Sequence, residues 1–271
     1  MKYLLLQELK QSINKRLITF LVLLNLLPYV LFFVQKNSYA FIDELDTFSF
    51  IFDGITIILF IFFVVFIYLG EFSSLLNHRF IVYQRTRASL KDILLACMFS
   101  NIIITFISFS LLVFHVFLFF FYIQPKLGLV EFHPEILHLT TSHELLEFNM
   151  QRYTFTQLLE YNPIIYGIVY SFWVGLMASF FATLGFFTVL ISKNKLIGMA
   201  LPIIFYIIGT FISNLFDVLE PFGMANAVFP FSSSQYPIPT ILINLVLYTI
   251  VILCLYVYTF KIKLYKLDNV S

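Results

Sequence analysis

The chain has 271 residues, of which 61% are hydrophobic and 11% charged, and its formal net charge is +1. Soluble domains carry about 25% charged residues, so this composition excludes a water-soluble globule. The near-neutral balance gives no sign of nucleic-acid binding. The two cysteines, Cys97 and Cys254, lie in apolar stretches where a thiol packs as a small hydrophobe.

Residues 2–16 place Leu5, Leu6, Leu9, Ile13 and Leu17 at helical spacing, with Lys2, Gln7, Glu8, Lys10, Gln11, Asn14 and Lys15 between them. That pattern predicts an amphipathic helix lying on the membrane surface. The apolar run that follows, Leu17 to Val34, exceeds the roughly 7–15 residues of a signal-peptide core. With five further runs behind it, it reads as a retained anchor.

A helix needs roughly 20 apolar residues to cross a hydrocarbon core. Six segments qualify: 17–34, 50–70, 93–123, 164–191, 196–216 and 240–262. Backbone groups in lipid must pair internally, so these segments are helices. The short alternating segments of a barrel do not occur. The expected fold is an all-α polytopic membrane protein, with residues 1–271 forming a single transmembrane domain.

Charge fixes the expected orientation. Thirteen of the 16 Lys and Arg residues fall on one side of the six spans: Lys2, Lys10, Lys15, Arg16, Arg79, Arg85, Arg87, Lys91, Lys193, Lys195, Lys261, Lys263 and Lys266. The other side holds Lys36, Lys126 and Arg152 against ten acids, among them Asp43, Asp46, Glu144, Glu147 and Glu220. Basic residues collect on the cytoplasmic side, so both termini are expected in the cytoplasm of a multi-pass cell-membrane protein.

The basic-side loop 71–92 mixes Leu75, Leu76, Phe80, Ile81, Val82 and Tyr83 with His78, Arg79, Arg85 and Arg87, which suits a short amphipathic helix. Ser89 is placed to cap the third span. On the acidic side, loop 124–163 is expected to form a small cap with a helix over Glu135–Phe148. Loop 217–239 contains Pro221, Gly223, Pro230, Pro237 and Pro239 around the apolar stretch Met224–Phe231, which suggests a partly buried re-entrant element.

Few motifs carry chemistry. His143-Glu144-Leu145-Leu146-Glu147 is one residue away from a zinc-protease pattern, but Glu147 stands where the second His belongs. A catalytic zinc needs a third protein ligand, and the nearby His133 and His138 do not share one helical face with it. Asp53 lies near the acidic-side end of the second span, where it caps or snorkels. His115, in the third span, reads as a packed or water-facing imidazole. No register of several ionisable groups suggests a proton relay. No nucleotide-binding loop or nucleophile elbow is present, so no catalytic, metal or cofactor site is expected in this chain and any energised work draws on another.

Gly167, Ser171, Gly175, Ser179 and Thr183 recur at every fourth residue of the fourth span, flanked by Ala178 and Ala182. Small residues in one row let membrane helices approach closely. They mark a tight helix–helix contact, within one subunit or between two.

Taken together, the layout resembles the permease subunits of type-2 ATP-binding-cassette transporters. The matching parts are the elbow-like segment Lys2–Arg16, the loop 71–92 with Arg-Thr-Arg-Ala-Ser-Leu-Lys at 85–91, the short turn within Ile191–Pro202, and the irregular segment Asp217–Pro239. The long loop between spans three and four departs from the carbohydrate exporters and is closer to permeases near bacteriocin-immunity and peptide-export systems. The resemblance implies a dimer with a second, identical or related permease, docked on a cytoplasmic nucleotide-binding ATPase. On that basis Phe80, Tyr83, Arg85 and Arg87 are expected to include the ATPase-coupling contacts. A Phe-rich lining suits a peptide, drug or lipid, and membrane lipid is itself an expected partner. The rival reading is a non-transporting immunity or scaffold protein that binds a peptide at its external loops.

Overall fold

The computed structural model describes residues 2–77, 88–139, 141–192, 194–230 and 235–263. Six helices are long and apolar enough to cross a membrane, and the chain is a polytopic membrane protein. They run Lys15–Gln35, Ile55–Asn77, Leu90–Leu118, Pro163–Ile191, Lys195–Ser213 and Ile238–Val257, called spans one to six here. Among the described residues the only β pairing is an isolated bridge between Phe41 and Phe132.

Polar side chains set the starts of four of these helices. Asn14 accepts a hydrogen bond from the Leu17 amide at 2.9 Å and opens span one. Ser89 accepts from the Asp92 amide at 3.1 Å and opens span three. Asn162, followed by Pro163, opens span four, and Asn194 opens span five. Each cap satisfies an amide that would otherwise enter lipid unpaired.

The apolar run that begins near residue 50 is divided between two helices. Asp43 caps a separate helix, Glu44–Ile51, and Gly54 takes a left-handed φ of 57° before span two begins at Ile55. Asp53 lies in this turn, exposed, its carboxylate accepting from the Gly54 amide at 2.7 Å. The cap loop also splits. A 3-10 turn, Pro134–Leu137, ends at His138 with φ 58°, and the cap helix runs Ser142–Arg152. Thr141 and Glu144 exchange reciprocal backbone bonds there, forming a capping box that fixes the later start.

Span four is the hub. Its most apolar stretch is 72% buried, against 22%, 28% and 17% for spans one, five and six. Span three lies along it, and the core between them is aromatic. The Phe48 ring sits 5.8 Å from both Phe117 and Tyr170, and Tyr170 is 5.7 Å from Tyr166. Spans one, five and six present faces such as Val22, Leu26, Ile204, Phe211 and Val246 outward, as lipid contact requires.

The N-terminal helix, Lys2–Ser12, packs against span three at the basic end. Leu17 is buried and Leu5 and Leu9 are half-buried, on the apolar face read from spacing. Leu6 and Ile13 are exposed, whereas Glu8 turns inward and accepts a hydrogen bond from the Tyr68 hydroxyl at 2.9 Å. Burial pushes the Glu8 carboxyl above its usual range, the Tyr68 bond opposing it. A tyrosine partner inside the bundle thus adds one polar contact to that face.

Candidate functional site

Of the five small residues of span four, Gly167, Gly175 and Ser179 meet span three, and Ser171 and Thr183 are buried in the same row. Gly167 lies under the Phe117 ring. A Cβ at position 175 would run into the Ser110 hydroxyl and come within 2.9 Å of the Phe106 carbonyl oxygen. The Ser179 hydroxyl donates to the Gly175 carbonyl at 2.9 Å and lies 3.3 Å from that of Ile102. Ser171 and Thr183 donate to the carbonyls four residues earlier, at 2.6 and 2.7 Å. These local bonds satisfy hydroxyls that hydrocarbon would leave unpaired. Across the same seam the Asn101 side-chain amide donates to the Ala182 carbonyl at 2.9 Å.

At the acidic end the three connecting loops are stitched together around residues 149–156. Asp43 is 1% exposed and accepts from its own helix at the Asp46 amide and from the Asn149 side chain. Arg152 bonds Asp46, lies 3.9 Å from Asp43, and spreads over the Tyr153 ring at 4.9 Å. Burial raises the Asp43 carboxyl above its ordinary value, more than the bonds from Asn149 and Asp46 and the Arg152 charge lower it. The loop between spans five and six joins from the other side. Gln235 donates to the Met150 carbonyl at 2.6 Å, and the Tyr236 amide donates to Thr154 at 3.1 Å. Tyr236 also reaches Glu220 through its hydroxyl at 3.1 Å.

Under this clasp lies a short helix, Met224–Val228, of which four residues are buried. Ala225, Ala227 and Val228 pack in the core, and specific polar bonds fix the helix there. The Trp173 indole donates to the Ala227 carbonyl at 2.9 Å, the Ala225 amide donates to Thr210 at 3.1 Å, and Asn226 donates to the Glu220 carbonyl at 2.8 Å. Asn244 of span six holds the preceding turn through the Pro221 carbonyl at 3.0 Å. The segment therefore enters the bundle and returns, as its Pro- and Gly-rich composition suggests.

Phe229, just after this helix, packs on Phe52 at 5.7 Å and Phe60 at 5.0 Å and closes one end of an apolar cleft. The cleft is narrow, about 20 Å³ between spans one to four, with Leu24, Pro28, Phe109 and Val174 on its walls. Its one hydroxyl, Thr56 Oγ1, is buried without a hydrogen-bond partner. Such a surface holds an apolar group and cannot fix a sugar or an ion, which need several convergent polar atoms.

Phe80, Tyr83, Arg85 and Arg87 lie outside the described residues. His143 and Glu147 are 3.7 Å apart on an exposed helix face, and among the described residues no three His, Cys, Asp or Glu side chains converge as metal ligands. His115 Nδ1 lies 2.8 Å from the Leu111 carbonyl oxygen, with the Tyr29 ring beside it at 5.7 Å. The Asp43–Asn149–Arg152–Asp46 cluster is not apparent from the sequence beyond one clue, a lone arginine in the cap opposite many acids. No protein-family model, curated protein or solved structure matches the chain.

Proposed function

We propose that this chain is the membrane-spanning permease subunit of an ATP-driven exporter, forming the pathway for a hydrophobic or amphipathic substrate. One observation carries the reading: a bundle of six apolar helices holds a docked N-terminal helix at its basic end and a buried re-entrant helix between spans five and six. The lining around Phe229 is apolar apart from Thr56, which favours a hydrophobic or amphipathic substrate over a sugar. The charge asymmetry puts both termini in the cytoplasm. The loop around Phe80, Tyr83, Arg85 and Arg87 is then the place where a separate ATPase docks, aromatics acting as anchors and arginines as charge-assisted donors. A second permease, identical or related, completes the pathway.

The test is co-purification of a nucleotide-binding ATPase with the tagged chain from its native membrane. Recovery of such an ATPase, reduced in the double variant Tyr83→Ala/Arg85→Ala, supports the reading. An intact chain that brings down no ATPase sinks it.

A second reading is a non-transporting immunity or scaffold protein binding a peptide at the acidic end. It is favoured by a cleft of about 300 Å³ between Glu44, Tyr122, Leu145 and Asn149, which pairs a carboxylate with an apolar wall. Peptide binding retained without any ATPase distinguishes it.

A further inference from the structure

At the basic end a crevice opens between spans one and two, built differently from the apolar cleft. Leu17, Phe20, Phe66 and Ile67 form its apolar wall, and Arg16 and Glu71 stand at its mouth, around a volume of about 230 Å³ that is partly open to the surroundings. Phe66 is 47% exposed on the face that lipid meets.

The two charges at the mouth are held apart. The Arg16 guanidinium lies against Gly70, one Nη 3.5 Å from where a Cβ would stand. Glu71 is fixed from another direction, since Asn14 Nδ2 donates to its Oε2 at 3.0 Å. Asn14 is itself locked by capping span one, so the carboxylate has a rigid support. The ion pairs among the described residues do not include Arg16. A cation and an anion are thus presented side by side, unpaired with each other, above an apolar slot.

We propose that this crevice holds one phospholipid with a zwitterionic, primary-amine headgroup. Its phosphate lies on Arg16, its ammonium donates to Glu71, and an acyl chain runs along Phe20, Phe66 and Ile67. Arginine favours phosphate through parallel N–H donors. A primary ammonium offers three donors to the carboxylate, whereas a quaternary choline offers none. An anionic glycerol headgroup would set its own charge beside Glu71, with Glu8 close behind. The site does not depend on the exporter reading.

The test uses the full chain in detergent, given equal amounts of phosphatidylethanolamine, phosphatidylcholine and phosphatidylglycerol with identical acyl chains. Lipid retained is counted by native mass spectrometry. Phosphatidylethanolamine should be kept in preference to the other two. Arg16→Gln should lower its retention about tenfold, the effect of one strong bond. Glu71→Gln should abolish the preference over phosphatidylcholine while leaving some phospholipid bound. Lys10→Gln, an exposed change on the N-terminal helix at a residue that does not line the crevice, should alter nothing. Equal retention of the three lipids by the unaltered chain overturns the proposal whatever the variants do, as does a preference for phosphatidylglycerol.

Discussion

Asn149 donates a hydrogen bond to Asp43 across 106 residues of sequence, joining the cap helix to the loop that follows the first span. With Arg152 and Asp46 alongside, this contact turns separate loops into one clasp over the re-entrant helix.

Arg152 and Asp46 have side chains only 17% and 20% exposed, so removing either partner strands a charge. Arg152→Gln should cost about 3 kcal/mol and Asp46→Asn a similar amount. The double variant should lose clearly less than their sum. Thermal unfolding of the detergent-purified chain checks this, and strict additivity would mean that the pair is not energetically coupled.

Asp43 gives the clasp a pH dependence of definite sign. Its raised pKa means that the folded chain binds this proton more tightly than the unfolded chain does. The contribution to stability is therefore fully present below the ordinary carboxylate pKa of about 4 and is lost as pH rises through the raised value. Asp43→Asn keeps a cap acceptor and should flatten that part of the profile. An unfolding midpoint with the same slope in both proteins would assign the dependence elsewhere.

Gly175 should tolerate no side chain while Ser110 faces it. Gly175→Ala forces the span-three backbone at Phe106 to give way and should cost about 1–3 kcal/mol. Ser110→Ala should recover part of that loss in the double variant, leaving the share due to the Phe106 carbonyl. A fully tolerated Gly175→Ala would show that the two spans have room to separate.

The re-entrant helix hangs on span four through the Trp173 indole. Trp173→Phe leaves the buried Ala227 carbonyl without its donor, at about 1–2 kcal/mol. Ala225→Cys, added as a reporter, should then react faster with a small maleimide, because the helix leaves its seat more often. Labelling rates unchanged by the Trp173 substitution would show that the remaining bonds hold it alone.

Glu8→Lys should lift the N-terminal helix from span three, since a cation cannot accept the Tyr68 hydroxyl proton. Cys97, buried in that neighbourhood, then becomes open to alkylation in a Cys254→Ser background. Glu8→Gln preserves an acceptor and should leave Cys97 protected.

Helix number and class were legible because length and apolarity alone decide them in lipid. The re-entrant segment also announced itself, through prolines and a glycine clustered around a short apolar stretch. The break at Gly54 was hidden inside an apolar run, where a single left-handed residue outweighs composition. The Glu8–Tyr68 bond was not visible in the spacing either. Helical spacing sorts residues by polarity and carries no sign of a buried tyrosine hydroxyl elsewhere in the chain. The clasp could not be read at all, because its partners are 106 residues apart and only folding brings them together.

Span four is the hub, yet it is synthesised fourth. Spans one to three enter the bilayer before the helix that most of the bundle packs on exists. Span one, 22% buried even in the finished molecule, meets spans two and three, whereas spans five and six reach span four only after it is made. Biogenesis therefore passes through an interval in which three inserted helices await a late arrival. A ribosome paused beyond residue 191 separates a loose trio from an assembled protein.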